Sequence, residues 1–288
     1  MTRTLFLALL VLPQEGVTLR YGAHNAKDKI YAEWTLELKL EGTDPAVNFV
    51  RSLHPFLSLE KLVLRAEGSR KVQGNRVRFE YDEARVEARY DDEDYQIDFE
   101  RGVPPPNLEE NKFRQFLWFL MAAGRSFTLS PRGEYRSDDP NQDHNGEAMD
   151  LIGLAVLRFP EGPVRPGEAV EAEWKGERSE KNKKGRFAFR QKAAVEKIEE
   201  RAGARVATLA GDLTGTLEAP PEERDRAAEE TWTKCEGKVR AEIEVESGRV
   251  LASEGSGKVV AYYRAAAGDG GKNEFTLTLS VSGKVKVR

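Results

Sequence analysis

The densest run of oxygen-bearing side chains in this chain is Asp139-Pro140-Asn141-Gln142-Asp143-His144-Asn145-Gly146-Glu147, with Asp150 three residues further on. Calcium takes about six to eight oxygen ligands, and a loop that offers them at alternate positions can wrap one ion. Asp139, Asn141, Asp143, Asn145 and Glu147 fall at those alternates and Asp150 at the twelfth position, so calcium is the cofactor this spacing suits. Two departures count against it. His144 stands at the sixth position, where such a loop needs glycine, and Asp150 stands where a bidentate glutamate belongs. Asn, Asp and Gly also make up any solvated linker, and these departures favour the linker.

Other residues with chemical potential do not assemble into a motif. His24, His54 and His144 lie far apart and in no metal-ligand spacing. Cys235 is the one cysteine, with no histidine in its neighbourhood to act as base, so it reads as a structural thiol and excludes an intrachain disulfide. Gly255-Ser256-Gly257-Lys258 and Gly270-Gly271-Lys272 resemble phosphate loops. Ala252 and Ala266 occupy the first glycine position, however, and Val259 and Asn273 the hydroxyl position, so both read as hairpin turns. Neither a G-x-S-x-G elbow nor a G-x-G-x-x-G fingerprint occurs. No catalytic residue emerges, although a carboxylate pair among 49 acidic residues has no signature by which to recognise it. Trp34, Trp118, Trp174 and Trp232 sit in apolar patterns or beside strands, which favours core packing over sugar stacking.

The elements that would position these residues are mostly strands. Ile30, Ala32, Trp34, Leu36, Leu38 and Leu40 alternate with Tyr31, Glu33, Thr35, Glu37 and Lys39, the pattern of a half-buried antiparallel strand. Alternation returns at Val77 to Tyr81, at Val86 to Tyr90 and at Tyr95 to Phe99, with Asp91-Asp92-Glu93-Asp94 closing the last two into a hairpin. Phe113, Phe116, Leu117, Leu120 and Met121 instead follow helical spacing. Asn107 and Glu110 cap that helix and Gly124 ends it, which predicts a helix over 108–123 packed on the first sheet. A second helical segment is expected over 147–157, and strands resume after Pro160 and run to the end. The fold class is therefore α+β and β-dominated, in two antiparallel halves, 15–138 and 139–288.

Composition narrows the partners. With charged residues at 33%, 45 Lys and Arg against 49 Asp and Glu, and the signs interspersed, no basic face for nucleic acid emerges. Residues 80–100 carry ten acidic residues against Arg85 and Arg89, and such a patch repels phosphate backbones. Leu5 to Leu12, behind Met1-Thr2-Arg3 and before Pro13, reads as a secretory signal covering residues 1–14, and is too short to span a membrane.

The string Phe159-Pro160-Glu161-Gly162-Pro163-Val164-Arg165-Pro166-Gly167-Glu168, the strand that follows to Trp174 and the turn Glu246-Ser247-Gly248-Arg249 resemble an uncharacterised group of exported bacterial β-rich proteins. The resemblance covers mainly residues 125–260. It implies an envelope location and a sheet-based fold, and it carries over no catalytic residue. The expectation is an exported, non-catalytic envelope protein with a binding or structural role, its partner an envelope protein or a hydrophobic ligand. Two alternatives stand beside it: a carrier of lipid in a half-barrel groove under the lid helix, and a hydrolase using acidic residues.

Overall fold

The computed structural model describes residues 16–22, 26–53, 55–104, 108, 113–115, 117–118, 125–137, 157–180, 183–218, 228–266 and 271–288. Twelve strands form one antiparallel sheet: β1 (Ala26–Gly42), β2 (Leu59–Gln73), β3 (Arg76–Tyr90), β4 (Glu93–Glu100), β5 (Arg125–Leu129), β6 (Tyr135–Ser137), β7 (Ala169–Glu180), β8 (Lys183–Arg201), β9 (Ala204–Glu218), β10 (Ala228–Glu244), β11 (Val250–Ala266) and β12 (Lys272–Val287). The order across the sheet is β6-β5-β3-β2-β1-β12-β11-β10-β9-β8-β7, with β4 paired to the remaining length of β3. Each half of the chain thus supplies one contiguous block, and the blocks meet where β1 pairs with β12 from Ile30↔Val287 to Gly42↔Phe275. The β-dominated α+β class expected from alternation is the class observed.

Period-two patterning dictates which face each residue takes. Ile30, Ala32, Leu64, Val86, Val195, Leu209, Ile243 and Val285 are buried on one face. Charged and hydroxyl residues fill the other. Over the apolar face runs the segment 16–22, whose Val17, Leu19 and Tyr21 enter the core. Its backbone is tied to Val164, Pro131 and Gly248. The Tyr21 ring stacks on Phe159 at 4.7 Å, and its hydroxyl accepts from the Leu157 amide at 2.9 Å. Burial raises the Tyr21 hydroxyl well above the ordinary tyrosine range, the Leu157 bond notwithstanding. Buried Gln191 receives the Arg158 amide at 2.8 Å and donates to the Arg158 carbonyl at 2.9 Å, so the strap at 157–159 leaves these polar groups satisfied.

Several sequence readings change here. The alternating runs at 77–81 and 86–90 belong to one strand, β3. The register passes from Glu67↔Glu83 to Gly68↔Tyr81, so Asp82 is an extra residue and the pattern switches from odd to even positions across this β-bulge. Gly68 is required opposite it, because a Cβ there would stand 2.1 Å from the Glu80 carbonyl oxygen. Residues 255–258, expected as a hairpin turn, run through the middle of β11. Their glycines continue a band of small residues on the apolar face, where Gly283 lies under the Trp34 ring and Gly215 under Phe189. A helix absent from the sequence reading, α1 (Asp44–Leu53), follows β1. The Thr43 carbonyl accepts the first helical bond from Val47 and Pro45 sits in the first turn, the local signal for this start. Within the predicted 108–123 helix, 113–115 and 117–118 are helical, with Phe113 and Leu117 buried. Residues 1–15 and 147–156 lie outside the described residues, and Leu157 is buried but not helical.

Candidate functional site

The six residues of the calcium reading, Asp139, Asn141, Asp143, Asn145, Glu147 and Asp150, lie outside the described residues, as do His24, His54 and His144. Among the described residues no group of three or more His, Cys, Asp or Glu is placed to hold a metal ion. Cys235 lies on the apolar face of β10, where burial pushes its thiol up to about 12, an inert state at neutral pH.

Three adjoining cavities open on the charged face. One of about 710 Å³ reaches from β1 to β9 and is lined by Glu33, Asp212, Lys238, Arg240, Glu254 and Lys284. A second of about 670 Å³ shares Thr35, Asp212, Lys238, Ser256 and Ser282 with it. A third of about 640 Å³ shares Thr214, Glu236 and Lys258 with the second and extends to Glu173 and Lys175 on β7. Together they make a continuous trough, roughly 25 Å along the strands at the rise of an extended chain. Register builds its floor. Thr35, Ser282, Ser256, Lys238 and Asp212 stand opposite one another on successive strands, so small hydroxyls occupy the centre and charges the flank.

Ion pairs hold the trough's walls. Glu33 takes Lys284 at 2.6 Å and Arg65 at 3.6 Å, and Arg240 bridges Glu196 at 3.1 Å and Glu254 at 3.7 Å. The Lys284 hydrogen bond keeps the Glu33 carboxyl below its ordinary range. At the far end Trp232 stacks on Tyr262 at 5.4 Å with the Lys234 ammonium 4.7 Å from its ring. Trp232 therefore belongs to the charged face, against the expectation of core packing. Trp34, Trp118 and Trp174 do pack on the core.

Two tighter ionic clusters lie outside the trough. Buried Glu80 receives Lys71 at 2.6 Å, Arg101 at 2.8 Å and Arg78 at 2.9 Å. The Lys71 and Arg101 hydrogen bonds bring its carboxyl down to about 2. On the apolar face, Asp28 lies between Arg70 and Arg249, each at 2.5 Å. Glu199, Glu242 and Glu246 are likewise held low by hydrogen bonds from Lys197, Arg201 and Arg205. Every described carboxylate with a displaced pKa is displaced downward, toward the ionised form.

No family profile matches this chain, and no curated protein matches it. Among solved structures, Pseudomonas aeruginosa OccK2 (OpdF) in complex with glucuronate aligns over 93% of this chain and 99% of its own, at 6% identity and a TM-score of 0.16. That score is too low to bear on fold or function. No helix among the described residues is long and apolar enough to cross a membrane.

Proposed function

We propose that this chain is an exported bacterial envelope protein with a non-catalytic role, presenting the charged-face trough as a surface for an envelope protein partner. The trough itself carries the reading: hydroxyls at its centre and ion-paired walls make a shallow, water-compatible surface of the kind that rims polar protein interfaces. Acid hydrolysis is disfavoured because a general acid needs a raised carboxyl, and the displaced carboxylates go the other way. A lipid carrier needs an apolar cavity of several hundred cubic ångströms. The apolar positions Val195, Leu209 and Ile243 are instead wholly buried in packed core, and the trough is floored with polar groups.

The test is photo-crosslinking from Ser256 in the trough and, as control, from Glu60 on β2, in full-length protein expressed in a bacterial host. A discrete protein adduct from Ser256 alone, recovered in the envelope fraction, is the expected result. Recovery of the protein solely in the cytoplasm would overturn the localisation. Displacement of a bound fluorescent fatty acid, with no Ser256 adduct, would favour the carrier.

A further inference from the structure

The cluster of Asp28, Arg70 and Arg249 joins three parts of the fold that lie far apart in sequence. Asp28 is on β1, Arg70 opposite it on β2, and Arg249 in the turn before β11, 221 residues from Asp28. Arg70 donates through Nη2 to Asp28 Oδ2 at 2.5 Å and to the Val250 carbonyl at 2.7 Å. Arg249 donates through its own Nη2 to Asp28 Oδ1 at 2.5 Å. The Asp28 and Arg70 side chains are only 3% and 7% exposed, whereas Arg249 is 35% exposed and connects the cluster to solvent.

Charge and hydrogen bonding both remain unbalanced. Two guanidiniums face one carboxylate, an excess of one positive charge around an Asp28 side chain that is 3% exposed. The Nε atoms of Arg70 and of Arg249 are buried with no hydrogen-bond acceptor. Buried donors of this kind are rare in native proteins, and a bound ion or water is a common reason for one. Water would satisfy the donors and leave the charge. One negative charge would settle both, and a dianion would exceed the excess it met.

We propose that the Asp28–Arg70–Arg249 cluster is a binding site for one small monovalent anion of halide size, held at the Nε edges of the two guanidiniums and entered past Arg249. It fastens the β10–β11 turn to the start of β1 when occupied. The test uses the full chain, melted at constant ionic strength in sodium chloride or sodium gluconate. The expected result is a saturable rise in midpoint of a few degrees with chloride and none with gluconate. Arg249→Gln leaves a neutral Asp28–Arg70 pair, so this variant folds and loses the chloride dependence. Equal midpoints in both salts would overturn the site, as would an undiminished chloride effect in the variant. Crystals grown in bromide should show an anomalous peak beside both Nε atoms, and its absence would leave water as the acceptor.

Discussion

Three cations around one buried carboxylate make Glu80 sensitive to pH in a defined direction. Its folded-state value, about 2, lies below the ordinary 4.5, so the pairing stabilises the protein fully above pH 4.5 and loses that contribution as pH falls toward 2. Glu80→Gln should cost about 2 kcal/mol at pH 7, the range for hydrogen bonds to charged groups. Urea unfolding of both proteins should show the gap narrowing as pH falls from 4.5 toward 2, and a gap independent of pH would refute this role. The Asp28 carboxyl is also low: burial works against the ionised form, but hydrogen bonds from Arg249 and Arg70 prevail. Neither cluster was visible in the sequence. Asp28, Arg70 and Arg249 carry no motif, and only strand register brings them together.

Strand-level features were legible where one face is buried, because a register slip by one residue would turn every apolar side chain to solvent. The acidic turn is an example: Asp91 and Asp92 close β3 onto β4 with φ of 52° and 62°, the two positive values a tight hairpin turn requires. Aspartate tolerates this conformation less well than Asn-Gly. Replacing the pair, Asp91→Asn with Asp92→Gly, should stabilise the protein by about 1 kcal/mol, seen as a higher urea midpoint at unchanged slope. The glycines in mid-strand misled because glycine also marks turns, and only the facing ring reveals its purpose. A Cβ on Gly283 would lie 2.3 Å from Trp34 Cε3. Gly283→Ala should therefore cost about 1 to 3 kcal/mol, and in a Trp34→Leu background that penalty should fall by about 1 kcal/mol in a double-mutant cycle. The trough escaped the sequence for a related reason. Polar faces carry charges on every strand, and which of them share a row depends on pairings between distant segments.

Across the whole molecule the sheet stays open: among the described residues β7 pairs with β8 alone. Glu171, Glu173 and Lys175 put charge along that edge strand, and Arg190 pairs with both glutamates, at 3.6 and 3.3 Å. Charged edge strands discourage pairing between molecules. Changing Glu171, Glu173 and Lys175 together to threonine should produce concentration-dependent self-association in sedimentation velocity, with the wild-type protein unchanged over the same range. The seam between β1 and β12 bears on time rather than on surface. Thr43 and Glu274, which bond across the end of that seam, are 231 residues apart. Each meander can assemble from strands adjacent in sequence, but β1 waits without one neighbour until β12 arrives. Until β12 is in place, β1 presents an open edge carrying Ile30, Trp34, Leu36, Leu38 and Leu40, and β11 one carrying Val259, Val260, Tyr262 and Tyr263, so the interval before seam closure is when this molecule is most exposed to misassembly or capture by a chaperone.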